Sequence, residues 1–152
     1  MANAQEVGAQ FAQEVGAQFV DAFNAHDEER IRELSAENEV FAGPGVQLEG
    51  RDATTGYAMS WLNAFEDGRL EVHNELVAGD WVVQEFVFAG THTGTLSGPA
   101  GDIPPTNRQL RGRGTQILRV ESGVVVDTRL YFDQVDVMTQ LGLMPEAAPA
   151  TA

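Results

Sequence analysis

The 152-residue sequence contains no cysteine and no lysine. The first absence removes disulfides, thiolate nucleophiles and cysteine-ligated metals from consideration. The second leaves nine arginines facing 23 acidic residues, for a formal net charge of −14. So acidic a chain lacks the basic patch that displaces counterions from nucleic acid or holds a protein on an anionic membrane, and neither is expected as a partner. No apolar run approaches the roughly 20 residues that span a bilayer, and no basic start followed by an apolar core opens the sequence, so a cytoplasmic location is expected. Histidine is scarce as well. His26, His73 and His92 include no pair spaced as two ligands on one helix face, and metal catalysis is not expected. There is no Gly-X-Ser-X-Gly elbow, and the glycine-rich run from Gly94 to Gly101 has neither a phosphate-loop lysine nor a strand-to-helix setting. Serine-nucleophile and nucleotide-site readings fall away, and no cofactor is expected.

What remains is a chain of single-domain length, long enough to bury a core and enclose a cavity without covalent staples. Its first feature is a duplication, in which Ala4 to Phe11 (AQEVGAQF) recurs unchanged as Ala12 to Phe19. Eight residues make about 2.2 helical turns, so the apolar residues of the first copy drift off the stripe of the second. We read residues 1–11 as a frayed or partner-dependent extension and residues 146–152 as a flexible tail on a single domain spanning 1–152. Val15, Phe19, Val20 and Phe23 share one stripe and predict a helix over 12–25. Asp27 suits the N-cap of a second helix, which carries Glu28 and Glu29 in its first turn and Ile31 and Leu34 on its buried side. A third helix starts at Asp52 or Thr55 and runs through Phe65. Strands follow at Leu70–Val77, Trp81–Thr95, Gln109–Val120 and Val124–Phe132, each bounded by Gly, Asp or Pro. Three helices followed by long antiparallel strands is an α+β order.

Glu121-Ser122-Gly123 reads as a three-residue hairpin loop with glycine in the left-handed third position, which sets Val120 opposite Val124. Counting back pairs Arg113 with Tyr131 and Arg111 with Asp133 on one face, while Val124, Val126, Leu130 and Phe132 occupy the other. Either the Asp133 face lines a pocket and the apolar face makes a contact between subunits, or the reverse. The pattern alone slightly favours the reverse, because apolar faces usually meet the core.

Asp133 ends a strand behind two aromatic residues, where an ionised carboxylate is poorly hydrated and its pKa rises. Such a group can remove a proton next to a carbonyl. The plainer reading is that Asp133 caps the following helical segment, Gln134 to Leu141. His92 lies between two threonines in a strand; it could donate to a developing enolate, or it could be a structural residue bonding the Pro104-Pro105 loop. Tyr57, Trp61, Phe86, Phe88 and Tyr131 are the large surfaces available to line a cavity for a flat ligand, two or three of them being expected to touch it. Arg111 and Arg113 either pair with Asp133 or Glu85 or face solvent.

Several separate segments resemble one family. Phe88-Ala89-Gly90-Thr91-His92-Thr93-Gly94, Pro104-Pro105-Thr106-Asn107-Arg108, Tyr131-Phe132-Asp133-Gln134 and Gln140-Leu141-Gly142-Leu143-Met144-Pro145 together resemble the SnoaL-like polyketide cyclases. Ala22 to Asp27, Val40-Phe41, Leu48 to Asp52, Trp61 to Asp67 and Ala78 to Val83 extend the likeness from about Val15 to Pro145. Asn107 stands where many relatives have glycine, and asparagine is the residue that best replaces glycine in a left-handed turn.

The resemblance implies the cone-shaped α+β barrel of the nuclear transport factor 2-like type, a curved antiparallel sheet wrapped on three N-terminal helices. It further implies an apolar pocket in which Asp133 works as an acid/base group; with it we expect His92 to be catalytic and Tyr57, Trp61, Phe88, Arg113 and Tyr131 to bind a small hydrophobic or polycyclic substrate. Pairing through the outer face of the sheet into a homodimer or larger assembly is also implied. The leading functional expectation is cofactor-independent, intramolecular aldol-type ring closure. Epoxide opening or isomerisation, with Asp133 and an arginine such as Arg111 or Arg113, and non-catalytic small-molecule binding stay open beside it.

Overall fold

The computed structural model describes residues 3–98 and 101–144. The tail expected at 146–152 lies outside the described residues. The elements run α1 (Ala4–Asn24), α2 (Glu28–Leu34), β1 (Ser35–Gly43), β2 (Val46–Glu49), α3 (Arg51–Ala64), β3 (Arg69–Ala78), β4 (Trp81–Thr91), β5 (Leu96–Gly98), β6 (Gly101–Ile103), β7 (Gln109–Glu121), β8 (Val124–Phe132) and α4 (Gln134–Gln140). Six strands form one sheet in the order β2-β1-β8-β7-β4-β3, and β5 pairs with β6 as a separate short hairpin. All pairs in the large sheet are antiparallel except β1 with β8. Helices packed on one face of a curved, mostly antiparallel sheet make the cone-shaped α+β fold.

The first copy of the duplicated octapeptide is helical, not frayed. Asn3 and Glu6 close a capping box that satisfies two of the free N–H groups at the start of α1, and a helix anchored by packing further along propagates back at little cost. The two copies nonetheless live in different surroundings. Displacement by eight residues turns a position through about 80° relative to the core, so Val7 and Phe11 are exposed while Val15 and Gly16 are buried. A Cβ on Gly8 would meet nothing, whereas one on Gly16 would sit 3.0 Å from Gln84 Nε2 and 3.2 Å from Val82 Cγ1. Glycine at the second site lets α1 lie against β4.

Asp27 caps α2 as expected, its carboxylate accepting from the Arg30 N–H at 3.0 Å. The β7–β8 hairpin differs from its expected register. Glu121 pairs with Val124 across the two-residue turn Ser122-Gly123, both in the left-handed region at φ 52° and 80°, the turn whose twist matches paired strands. A bulge at Val126 then shifts the pairing, so Thr115, not Arg113, faces Tyr131 and Gly114 faces Phe132. The bulge carries Val125 to the inner face, alongside Thr128, Leu130 and Phe132.

That inner face is core. Leu110, Leu118 and Val125 are buried, and Leu130 and Phe132 pack against them. The apolar face expected to make a subunit contact is therefore covered by the chain's own helices, and the face carrying Arg111, Arg113 and Tyr131 points outward. Burying the aliphatic stripe inside the monomer stabilises it by roughly 25 cal/mol per Å² of apolar surface, which is the preference the pattern alone expressed.

Candidate active site

Between the helices and the inner face lies a cavity of about 830 Å³, including the space at its opening. Its walls are mainly apolar. Phe19 and Phe23 come from α1, Tyr57, Ala58 and Trp61 from α3, Phe86 and Phe88 from β4, Leu110 from β7, and Leu130 and Phe132 from β8. The helical spacing of Thr54, Tyr57, Ala58 and Trp61 puts all four on one face of α3. Strand alternation likewise sends Phe86 and Phe88 inward, and Phe132 beside them. Trp61 is the hub, edge-on to Phe88 at 5.7 Å and to Phe132 at 5.6 Å between ring centroids, and Tyr57 lies 4.8 Å from Phe41. Such rings present flat faces and edges suited to a planar ligand.

Among the described residues, one carboxyl enters this cavity, that of Glu39 on β1. Glu39 and Phe41 alternate inward, and Glu39 is only 4% exposed. Burial pushes its pKa up to about 7 and the nearby Asp127 charge adds to the rise, while hydroxyl contacts from Thr54 and Thr128 oppose it. Thr128 Oγ1 donates to Glu39 Oε1 at 3.1 Å. Thr54 gives its single proton to the Arg51 carbonyl at 3.1 Å, which leaves Thr128 as the committed donor. Burial also raises the Tyr57 phenol above its ordinary value, with Trp61 opposing, so Tyr57 stays a neutral O–H.

Of the residues expected at the site, Tyr57, Trp61 and Phe88 line the cavity, as does Phe86. Tyr131 and Arg113 do not: both are exposed on the outer face of the sheet, where alternation opposite Phe132 and Gly112 puts them. Arg111 pairs with Glu71 at 3.0 Å, and Asn74 donates to Glu85 at 2.7 Å, so neither expected arginine pairing with Glu85 or Asp133 forms. Asp133 lies between two lining residues, Phe132 and Val137, but its own side chain is exposed and accepts from the Asp136 N–H at 3.0 Å as the N-cap of α4. This is the capping geometry of the plainer sequence reading.

His92 is fully buried behind the cavity wall, stacked on Phe65 at 5.2 Å. Its Nδ1 lies 3.0 Å from Thr106 Oγ1 and accepts the Thr106 N–H at 3.2 Å, while its main chain bonds Asn107 and Arg108. Desolvation holds its pKa below the ordinary histidine value, and its Nε2 is enclosed with no hydrogen-bond partner among the described residues. A neutral ring pinning the 104–108 loop is what the geometry describes. Glu39 was missed in the sequence because Glu37-Asn38-Glu39 is a polar run that masks the inward alternation of Glu39 with Phe41.

The SnoaL-like polyketide cyclase family model matches residues 13–141. The nogalonic acid methyl ester cyclase of Streptomyces nogalater is 33% identical over 86 residues, a match spanning 55% of this chain and 61% of that protein. The aklanonic acid methyl ester cyclase DauD of Streptomyces sp. (strain C5) is 28% identical over 130 residues, covering 81% of this chain and 76% of its own length. A SnoaL-like protein from Jannaschia sp. CCS1 superimposes with a TM-score of 0.79 at 20% identity, over 91% of this chain and 96% of the other, which bears on the fold alone. With a cavity walled by aromatic rings at its centre and the family pattern running over most of its length, the chain belongs to the SnoaL-like polyketide cyclases, a family of cyclase-type enzymes.

Proposed function

We propose that this protein is a cofactor-independent cyclase that closes a carbon ring in a polyketide-derived ester by intramolecular aldol addition, with Glu39 as its acid/base group. One observation carries the reading: among the described residues, an apolar, aromatic-walled cavity holds a single buried carboxyl raised to about 7. Near neutral pH such a group is present in both forms, so it can take a proton and return it. The Glu39 carboxylate removes a proton from a carbon flanked by carbonyls. The enolate carbon attacks a second carbonyl of the same molecule, one C–C bond forms, and the new alkoxide takes the proton back from Glu39. No atom is gained or lost. The neutral Tyr57 hydroxyl, one turn of α3 beyond Thr54, is the donor for the enolate oxygen, and the rings of Trp61, Phe88 and Phe132 hold the chain folded so the two carbons meet.

Aklanonic and nogalonic acid methyl esters, for whose cyclisation the relatives are named, are the compounds to assay. Glu39→Gln is expected to lower turnover of an accepted ester by about 10²–10⁴ while leaving binding close to wild type. Asp133→Asn is expected to keep both rate and stability, since asparagine caps a helix as well as aspartate does. The opposite pattern, with Asp133→Asn dead and Glu39→Gln active, would transfer the base to Asp133 and end the assignment to Glu39.

A further inference from the structure

Six polar residues line the cavity, and the hydrogen bonds already made in the wall decide which of them are left for a ligand. Ser35 gives its proton to the Ile31 carbonyl at 3.2 Å, Thr54 to Arg51, and Thr128 to Glu39. Glu39 and Tyr57 are assigned above. The sixth, Gln116 on β7, is 6% exposed and sits at the end of a directed chain of hydrogen bonds.

The direction is set at the far end. Glu75 on β3 carries a carboxylate, which only accepts. It accepts from Gln13 Nε2 of α1 at 3.0 Å and from Gln84 Nε2 of β4 at 3.1 Å. Gln84 is 1% exposed, so its amide has no water with which to trade partners. With its nitrogen turned to Glu75, its oxygen must accept, and it does so from Gln116 Nε2 at 2.7 Å. Gln116 in turn commits one of its two Nε2 hydrogens to the wall. Its Oε1 receives no hydrogen bond from the described residues and is not an enclosed orphan, which leaves it as an acceptor offered to the cavity. Gly16 belongs to the same arrangement, because a side chain there would press on Gln84 Nε2.

We propose that Gln116 Oε1 is a ligand-orienting acceptor, held in one direction by Glu75 through Gln84, and that it selects flat polyketide-derived rings bearing a phenol or enol hydroxyl over the same rings bearing an ether or no group at that edge. The proposal rests on the cyclase reading for its substrate class, although it concerns binding and not proton transfer. A glutamine whose amide could rotate would accept a hydroxyl or donate to a carbonyl with equal ease, and would discriminate neither. Fixing the amide leaves a buried acceptor unpaired whenever the ligand brings no donor, and that penalty is the source of selectivity.

The test uses the full-length protein with 2-hydroxyanthraquinone, 2-methoxyanthraquinone and anthraquinone, followed by quenching of tryptophan fluorescence, since Trp61 lines the cavity. Wild type is expected to bind the hydroxy compound about tenfold more tightly than the methoxy one, the value of one satisfied buried hydrogen bond. Gln116→Met keeps the side-chain length and should erase the preference. Glu75→Gln lies away from the cavity, serves as the variant least exposed to misfolding, and should reduce the preference by freeing the chain to reverse. Unchanged selectivity in either variant, or equal binding of all three compounds by wild type, overturns the assignment while leaving the cyclase reading in place. If none of the three binds, the flat polycyclic substrate class itself is wrong and the assignment falls with it.

Discussion

Thr128 Oγ1 donates to Glu39 Oε1 at 3.1 Å, joining β8 to β1 across 89 positions of sequence. The two residues meet because β1 and β8 pair in parallel and both side chains alternate inward. This contact stabilises the charged form of a carboxyl that burial otherwise keeps protonated.

Thr128→Val should therefore raise the Glu39 pKa further. Hydrogen bonds to charged groups are worth about 1.5–3 kcal/mol, so the rising limb of a kcat/KM against pH profile is expected to move up from about 7 by about one to two pH units. A profile that stays in place would mean that Glu39 is not the titrating base.

Glu39 also ties stability to pH. Its folded-state pKa of about 7 lies above the ordinary value of 4.5, so the folded state binds the proton more tightly than the unfolded state. The contribution is fully present below about 4.5 and is lost as pH rises through about 7. Glu39→Gln, which cannot ionise, should be more stable than wild type at pH 8 by up to about 3 kcal/mol and nearly equal to it at pH 4.5, as read from urea unfolding. A difference independent of pH would show that the carboxyl is not buried as described.

His92→Ala removes a fully buried ring that stacks on Phe65 and pins Thr106. Loss of that packing and of the acceptor for the Thr106 N–H is expected to cost about 2–4 kcal/mol, with faster proteolysis in the 104–108 loop. The fraction that folds should keep its rate per molecule within a few-fold. A loss of a hundredfold or more in turnover at full fold content would instead give His92 a part in the chemistry.

Removing residues 2–11 should change little, because Val7 and Phe11 are exposed and the packed part of α1 begins at Ala12. The melting temperature is expected to fall by only a few degrees, the response to about 1 kcal/mol or less in a domain of this size. A fall of more than ten degrees, or a smaller species on a sizing column, would show that the first octapeptide carries a contact of its own.

Much of the local structure was legible in the residues themselves. Val124–Phe132, the Asp27 cap and the helix opening after Asp133 were readable because strand alternation and capping depend on neighbours within about four positions. Even Asp133 carried its capping role in plain view, with Asp136 three residues on. Where the local signal failed, it failed by small amounts with large effects: a turn of two residues in place of three, and one bulge at Val126, reset the pairing of β7 with β8. α1 likewise begins at Ala4 and not near residue 12, since an Asn3–Glu6 capping box can hold a turn that contributes little to the core.

The sheet face that meets the helices, by contrast, was decided only when the helices closed over it, burying Leu110, Leu118 and Phe132 and turning Arg113 and Tyr131 outward. The same closure made a surface-looking glutamate into the cavity's carboxyl. Glu39 owes its pKa to desolvation by residues far away in the chain and to a donor on β8, and Gln116 owes its orientation to Gln84 and Glu75 on two other strands. Caps and alternation are properties of a segment and can be read from it. Burial and the direction of a hydrogen bond belong to pairs of segments, so for this protein the fold could be inferred from the order of residues, while the identity of its buried acid and its fixed acceptor came only from how the strands and helices meet.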